Sequence, residues 1–333
     1  MARDAVIARF LAAAGWDGSR PIPLAADASF RRYFRVAEGE CRAVLMDAPP
    51  PHEDVRPYIA VSGMLRSHGF SAPEIFAEDT EQGLLLIEDF GDDTYTRLLA
   101  RGADEAELYA LAIDTLVALQ RAMAEAPAVP PYNEDVLLRE AALLVEWYAA
   151  TVLPAPLSPA LCEEYLALWR AVLPLAATPA PTLVLRDYHV DNLMLLPGRE
   201  GVRGCGLLDF QDALCGPASY DLVSLLEDAR RDVSLTLREA MTERYLKAFP
   251  CVDRGAFRRS AAILAAQRNA KIIGIFTRLW RRDGKPQYLD HIPRVWRLLE
   301  ADLQEPALRP LARWLDRHLP RAVRRLPDMN TPA

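Results

Sequence analysis

The sequence has few cysteines, and their arrangement excludes the common thiol frameworks. Five are scattered along the chain, an odd number without any C-x-x-C pair: Cys41, Cys162, Cys205, Cys215 and Cys251. Disulfide scaffolds need paired thiols, and structural zinc sites need closely spaced ones. The pattern therefore predicts reduced thiols, mostly in the core, of a protein that works in a reducing compartment.

Long apolar runs and an excess of basic charge are also missing. The uncharged run from Ala171 to Leu185 is too short to span a bilayer and contains three prolines. Asp4 and Arg9 interrupt the apolar residues near the N-terminus, which is not typical of a secretory signal. The formal net charge is −7, from 39 basic and 46 acidic residues, and favours neither a nucleic acid nor a membrane as partner. We therefore expect a cytoplasmic protein with small-molecule partners.

The composition and the hydrophobic periodicity indicate two lobes of different kinds. Hydrophobic residues make up 51% of the 333 residues, which is enough for two separate cores. Before residue 90 the apolar residues predict strands, with a hairpin turn expected at residues 38–40, and two helices, one at residues 4–15 and one that Gly69 ends. After residue 104 the helical period dominates. The helices are expected at 104–124, 134–152, 159–173, 220–230, 234–248, 256–280, 287–303 and 306–324. This order predicts an α+β fold with an antiparallel-sheet lobe at residues 1–90 and a larger, mostly helical lobe at residues 91–333.

Three polar residues stand out between Leu183 and Asp209. The apolar runs in this stretch predict three short strands, with Asp187 and Asn192 on one loop and Asp209 at the end of the last strand. Phosphoryl transfer from ATP needs one carboxylate to orient the attacking hydroxyl, and an amide and a carboxylate to bind Mg²⁺. The alternative is two surface turns with ordinary turn residues. The spacing favours Asp187 as the catalytic residue and Asn192 and Asp209 as metal ligands.

The same stretch resembles the catalytic segment of the aminoglycoside phosphotransferase and kinase-like superfamily. Residues 185–187 (Leu-Arg-Asp) correspond to the His-Arg-Asp of protein kinases, and residues 208–210 (Leu-Asp-Phe) to their Asp-Phe-Gly. Residues 216–222 resemble the segment that follows the metal ligand in the family, where an aspartate braces the catalytic loop. The resemblance implies a bilobal protein-kinase-like fold with ATP and Mg²⁺ as cofactors. The residues interpreted as structural are His189, Asp221, Arg186 and Asp191.

The first lobe departs from the family pattern where the nucleotide phosphates would bind. Residues 27–34 match the covering loop in position but lack its glycines, and Met46 stands where the family has a phosphate-binding lysine. Arg31 and Arg32 are the nearest cations in the sequence, and strand alternation predicts that they face opposite ways. We slightly prefer Arg32 as the phosphate ligand. Glu53 is interpreted as an exposed glutamate in the first turn of a helix.

The end of the last strand of that lobe resembles the hinge of kinases. There the backbone of residues 88–90 would bind the adenine edge, as the resemblance implies. The complete set of expected nucleotide-binding residues is Ser29, Phe30, Arg31, Arg32, Val44, Glu88, Asp89 and Phe90.

Several further segments narrow the resemblance. DASFRRYFRV, VLMDAPP, LLLIEDFGD, EWY and LRDYHVDNLMLL resemble the bacterial anomeric N-acetylmuramate/N-acetylglucosamine kinases, which phosphorylate the C1 hydroxyl of cell-wall amino sugars in peptidoglycan recycling. The resemblance implies an amino-sugar acceptor. The residues expected to bind it are Glu146, Tyr148, Gln211, Gln267, Arg268, Asn269 and Lys271. A solvated helix face, and core packing for Tyr148, are the alternatives for these side chains.

Two other functions remain open at this point. The first is a phosphotransferase of the same fold that acts on another hydroxyl acceptor, such as an aminoglycoside or an amino alcohol. The second is a catalytically silent regulator that binds the nucleotide, which Met46 at the lysine position suggests.

Overall fold

The computed structural model describes residues 3–24, 30–123, 127–177 and 180–327. The helices, in chain order, are α1 (Arg3–Ala13), α2 (Arg56–Ser67), α3 (Tyr95–Ala100), α4 (Glu105–Ala122), α5 (Glu134–Leu143), α6 (Ala150–Val152), α7 (Pro159–Val172), α8 (Ser219–Leu226), α9 (Leu235–Ala248), α10 (Arg254–Asp283), α11 (Ile292–Asp302) and α12 (Arg309–His318). The strands are β1 (Ile22–Pro23), β2 (Arg32–Glu38), β3 (Cys41–Asp47), β4 (Ile75–Asp79), β5 (Leu84–Glu88), β6 (Pro181–Val184), β7 (Leu193–Leu195), β8 (Cys205–Leu207) and β9 (Leu214–Pro217). All the helical segments expected from periodicity contain helices.

The chain forms two compact units, residues 1–115 with 190–213 and residues 116–189 with 214–333. In the first unit an antiparallel sheet has the order β1-β2-β3-β5-β4. The expected hairpin is present, with Glu38 opposite Cys41 across its turn. Alternate residues of β3 and β5, among them Leu45 and Leu86, pack with Phe10 and Leu11 of α1 in one apolar core. The antiparallel-sheet lobe of the predicted fold is confirmed.

The first unit also contains the segment of residues 190–213, which differs from the expected lobe boundary at residue 90. Strands β7 and β8 pair with each other, and bridges join Ser71 to Gly206 and Thr94 to Met194. The Ser71 hydroxyl donates to the carbonyl oxygen of Arg203 at 2.7 Å. These backbone contacts tie the segment to the unit that carries the sheet.

In the second unit, α10 is a helix of 30 residues that packs against α5, α8 and α11. Its N-cap is Asp253, whose side chain accepts a hydrogen bond from the backbone N–H of Ala256 at 2.9 Å, and its C-cap is Gly284 in the left-handed conformation. Strands β6 and β9 pair in antiparallel fashion in the same unit. The helix expected at residues 134–152 is interrupted, because Leu144–Ala149 forms a π-helix between α5 and α6.

The cysteines correct one expectation. All five are free thiols, but only Cys205 is buried, and Cys41 and Cys251 are exposed. The expectation of mostly core thiols is therefore wrong: Cys41 lies at the hairpin turn and Cys251 in the loop after α9, where the chain is open to solvent. Among the described residues, no helix is both long enough and apolar enough to cross a membrane.

Candidate active site

Asp187 lies in the second unit, on a tight turn that follows β6. The Asp187 N–H donates to the carbonyl oxygen of Leu185 at 2.9 Å, and the His189 N–H donates to that of Asp187 at 3.1 Å. Arg186 adopts a left-handed φ of 71°, which is unfavourable for a residue with a side chain and needs support from its surroundings. Asp221 of α8 gives that support, since its carboxylate accepts the N–H of Leu185 at 2.7 Å and that of Arg186 at 2.9 Å. The contacts of Asp221 are those expected of a structural residue.

The electrostatic environment of Asp187 favours its ionised form. Burial by itself would raise the pKa of Asp187, but Lys271, His189, Arg186 and Arg268 outweigh this effect and hold the pKa below its usual value. Asp187 is therefore a carboxylate at neutral pH, which is the state that accepts a proton.

His189 and Asp221 are buried beside this turn, and burial shifts their pKa values in opposite directions. Burial lowers the pKa of His189, so that the imidazole is neutral at neutral pH. Burial raises the pKa of Asp221 to about 7, although its two backbone hydrogen bonds act against this rise. The structural role of His189 stays a prediction.

Asn192 and Asp209 come together in the first unit. Asn192 precedes β7 and Asp209 follows β8, and the N–H of Leu208 donates to the Asn192 carbonyl oxygen at 3.0 Å. The Asn192 side-chain amide lies 3.5 Å from the Asp209 carboxylate, and Gln211 donates to the same carboxylate at 2.9 Å. Asp209 adopts a left-handed φ of 55°, a strained conformation of the kind that occurs at functional sites. One amide oxygen and one carboxylate fit Mg²⁺, which usually takes few protein ligands and completes its shell with phosphates and water.

The two arginines of the first unit have different partners, and these partners favour Arg31 over Arg32 as the phosphate-binding candidate. The Arg32 guanidinium binds the buried carboxylate of Asp47, with a distance of 3.0 Å from Nε to Oδ2, and Arg3 binds the other oxygen of Asp47 at 2.9 Å. Arg31 points instead to Asp209, with 3.5 Å between Nη2 and Oδ1. Arg31, not Arg32, is therefore the cation beside the metal candidates.

Glu53 also differs from its interpretation as an exposed glutamate in a helix. Helix α2 begins only at Arg56, after a run of three prolines, so that Glu53 precedes the helix. Its carboxylate accepts the N–H of Phe30 at 3.3 Å and lies 3.8 Å from Nε of Arg31. The side chain is only 20% exposed. Glu53 is thus the acid that pairs with the phosphate-binding candidate.

The residues expected at the hinge have side chains that bond within the first unit. Glu88 forms an ion pair with Arg199, and Asp89 accepts hydrogen bonds from Arg35 at 2.6 and 3.1 Å. Contact of these two residues with an adenine, which stays a prediction, would therefore use the backbone. Val44 is buried opposite Ile87. The remaining candidates are Phe90, whose ring lies under Arg199; Phe30, exposed and stacked on His52 at 5.0 Å; and Ser29, which lies outside the described residues.

Three of the expected acceptor-binding residues belong to the core instead. Tyr148 is fully buried, and its hydroxyl donates to the carbonyl oxygen of Arg325 at 2.8 Å. Gln267 donates to the carbonyl oxygen of Leu137 at 3.0 Å, and Asn269 donates to Asp302 at 2.9 Å. Gln267 and Asn269 lie on α10, which is covered by helices on several sides, so that these polar residues bond to neighbouring helices. Tyr148 lies on the π-helix, where its hydroxyl bonds to the backbone near the C-terminal end of the described chain.

The other four acceptor candidates are distributed over both units. Arg268 and Lys271 act electrostatically on Asp187 in the second unit, where Glu146 is exposed on the π-helix. Gln211 lies beside Asp209 in the first unit. Asp191, interpreted as a loop-bracing or solvated acid, accepts a hydrogen bond from the Thr96 hydroxyl and braces its loop.

The sequence interpretation missed Glu140 of α5. This buried acid binds Arg186 and lies 3.0 Å from Lys271. The sequence pattern that could have revealed Glu140 is an acidic residue on a helix face that is otherwise apolar, formed by Leu137, Leu138 and Ala141.

The chain is similar to known proteins over most of its length. Residues 21–258 match the phosphotransferase enzyme family. The chain is 38% identical to the N-acetylmuramate/N-acetylglucosamine kinase of Caulobacter vibrioides, over 97% of this chain and 98% of that protein. It is 39% identical to the protein of the same name from Pseudomonas aeruginosa, over 94% and 93% of the two chains.

The comparison with solved structures concerns the fold. The crystal structure of a choline kinase from Streptococcus pneumoniae matches with a TM-score of 0.65 at 11% identity, over 90% of this chain and 99% of that one. This likeness confirms the kinase-like α+β fold. Because the family match covers most of the chain and the curated relatives align over nearly all of it, this protein belongs to the phosphotransferase enzyme family.

Proposed function

We propose that this protein is a kinase that uses ATP and Mg²⁺ to phosphorylate the anomeric C1 hydroxyl of N-acetylmuramate and N-acetylglucosamine. The observation that carries the proposal is the 38–39% identity, over nearly the whole chain, to kinases named for these two sugars. We place the reaction in the cytoplasm, where ATP is available, and in peptidoglycan recycling, which releases such sugars.

Asp187 is the proposed catalytic residue. The C1 hydroxyl donates a hydrogen bond to the Asp187 carboxylate, which aims the hydroxyl oxygen at the γ-phosphorus of ATP. The new O–P bond forms as the bond from the γ-phosphorus to the β,γ-bridging oxygen breaks. ADP leaves with that oxygen, and the hydroxyl proton passes to Asp187. The ionised state of Asp187 supports this role.

Asn192 and Asp209 are the proposed ligands of Mg²⁺, with Gln211 as a neighbour that orients the Asp209 carboxylate. When bound, Mg²⁺ neutralises the charge on the nucleotide phosphates. Arg31 is the proposed replacement for the missing lysine, and Glu53 takes the place of the acid that holds such a lysine. Gln211, Glu146, Arg268 and Lys271 stay as candidates for acceptor contacts.

The test of this function is ³¹P NMR of the purified protein with MgATP and, in separate samples, N-acetylmuramate, N-acetylglucosamine, an aminoglycoside and choline. A sugar phosphate whose phosphorus couples to the anomeric proton is the expected product. Phosphate on the aminoglycoside or on choline alone would replace the acceptor assignment and keep the phosphotransferase chemistry. Binding of ATP without transfer to any of the four acceptors would favour the silent regulator.

Arg31→Ala is expected to raise the KM for ATP about tenfold, because a charge-assisted hydrogen bond to phosphate contributes roughly 1.5 kcal/mol or more. Steady-state kinetics at saturating sugar measures this change. Arg32→Ala is the matched control: it removes a partner of the buried Asp47, so its effect is expected in thermal stability and not in the KM for ATP. A KM for ATP in Arg31→Ala within twofold of the wild-type value would remove Arg31 from the phosphate site.

A further inference from the structure

Glu140 is a buried acid on which several donors of the second unit converge. Tyr132 and Arg186 donate to its carboxylate, Lys271 lies 3.0 Å from Oε1, and Gln267 donates to Oε2 at 3.2 Å. Burial alone would raise the pKa of Glu140, but Lys271 and Arg186 outweigh it and hold the pKa low. Glu140 is therefore an ionised carboxylate, and its partners come from α10, from the turn that carries Asp187 and from the loop before α5.

The packing of α5 against α10 fixes the position of Lys271. Gln267 bonds to the backbone of Leu137, Lys271 pairs with Glu140, and Gly274 lies against Leu143. The two helices are therefore in contact at three successive turns. A Cβ atom at Gly274 would lie 2.3 Å from the carbonyl carbon of Leu143, which means that only glycine permits this approach. The same approach places the ammonium group of Lys271 on Glu140 one turn earlier.

The charged side chains around Glu140 carry a net positive charge, which the Asp187 carboxylate balances. Lys271 and Arg186 each contribute one positive charge, and Glu140 contributes one negative charge. Burial would lower the pKa of Lys271, but Tyr220 and Glu140 raise it, so that Lys271 stays charged. After burial, Lys271 is the largest influence on the pKa of Asp187, ahead of His189, Arg186 and Arg268. One positive charge therefore remains, and it acts on Asp187.

We infer that Glu140 and Lys271 are positioning residues for the transfer reaction: Glu140 holds Lys271 and Arg186 in place, and together they fix the orientation of Asp187. The inference rests on the proposed role of Asp187. Glu140 also accounts for the strained turn at Arg186, because the ion pair holds the Arg186 side chain while Asp221 holds its backbone. A purely structural pair would affect stability and leave the reaction rate of the folded enzyme unchanged.

The experiment compares kcat, both KM values and the pH dependence of kcat for the wild type, Lys271→Met and the double variant Glu140→Gln/Lys271→Met. The double variant removes one charge of each sign, so its fold is expected to tolerate the change better than the loss of Glu140 alone. Both variants are expected to lose kcat about a hundredfold, as for a misplaced catalytic group, with KM values within threefold of wild type. In Lys271→Met the acid limb of the pH profile is expected to move to higher pH, because the positive charge that lowers the pKa of Asp187 is gone while Glu140 stays charged. The groups that continue to act on Asp187 are Arg186, His189, Arg268 and, from α8, Asp221.

Arg324→Met is the matched control. Arg324 is a cationic side chain of the second unit, only 4% exposed, that pairs with Glu300 at 3.0 Å and with Asp316 at 2.7 Å. Its loss is expected to lower thermal stability and leave kcat unchanged. The inference is overturned if folded Lys271→Met keeps kcat within threefold of wild type, if its acid limb does not move, or if the double variant regains full kcat. A wild type without sugar kinase activity would instead contradict the proposed function.

Discussion

Asp187→Asn is expected to reduce kcat about a thousandfold, within the range reported for the loss of a general base. The amide keeps the shape of the side chain but accepts the hydroxyl proton poorly, and it no longer attracts the hydroxyl as a carboxylate does. The backbone turn is held by two hydrogen bonds that the substitution leaves in place, from the Asp187 N–H to the Leu185 carbonyl oxygen and from the His189 N–H to the Asp187 carbonyl oxygen. ATP affinity, measured by isothermal titration calorimetry, is therefore expected to stay near the wild-type value while transfer is lost.

Asp191→Asn is the matched control for this prediction. The two aspartates are four positions apart, and the chemical change is the same, but Asp191 accepts a hydrogen bond from Thr96 and braces its loop. An asparagine oxygen can accept the same bond, so kcat is expected to stay within about fivefold of wild type. Equal losses in the two variants would indicate a general disturbance of the loop, and a fully active Asp187→Asn would remove Asp187 from the reaction.

The pH dependence of the wild type follows from the same carboxylate. The pKa of Asp187 is lowered in the folded protein, so its ionised form persists to a lower pH than that of an ordinary aspartate. Its contribution to stability is present above the usual aspartate pKa and is lost as the pH falls through the lowered value. Activity that depends on Asp187 is accordingly expected to hold across neutral pH and to fall only on the acid side.

Periodicity predicted the elements well because it depends on local properties of the chain. Alternation located the β2–β3 hairpin, and the helical period located the helices of the second unit. The arrangement of Asp187, Asn192 and Asp209 around short strands was also predictable, since turn residues and strand ends are set by nearby sequence. Their chemical roles stay predictions, which the variants above test.

The errors concern partners that lie far apart in the sequence. Alternation indicated that Arg31 and Arg32 face different ways, but the choice between them depended on Asp47, which pairs with Arg32 across two strands. Gln267 and Asn269 resembled an exposed polar face, although α10 is enclosed by its neighbours. Polar residues in an enclosed helix need hydrogen-bond partners inside the protein, and the local sequence pattern does not predict which residues those partners are.

Gly274→Ala is expected to destabilise the second unit by about 3 kcal/mol, at the upper end of the usual cost of overpacking. The added Cβ would lie 2.3 Å from the carbonyl carbon and 2.4 Å from the carbonyl oxygen of Leu143. These are backbone atoms at the junction of α5 with the π-helix, so relief requires that α10 and α5 move apart. That movement would also separate Lys271 from Glu140, and the remaining folded enzyme is expected to have a lower kcat.

Gly63→Ala is expected to stabilise the protein, in contrast to Gly274→Ala. Gly63 lies within α2, and a Cβ atom there would meet nothing within 4 Å. Alanine at an unstrained helical position stabilises by about 0.5–1 kcal/mol, because it restricts the unfolded chain. Denaturant unfolding followed by circular dichroism measures both variants, since a change in the transition midpoint at constant slope reports a change in stability. If the two substitutions shift the midpoint alike, the close approach of α10 to Leu143 does not limit the stability of the second unit. Opposite shifts identify Gly274 as the residue that permits the helix contact supporting Lys271.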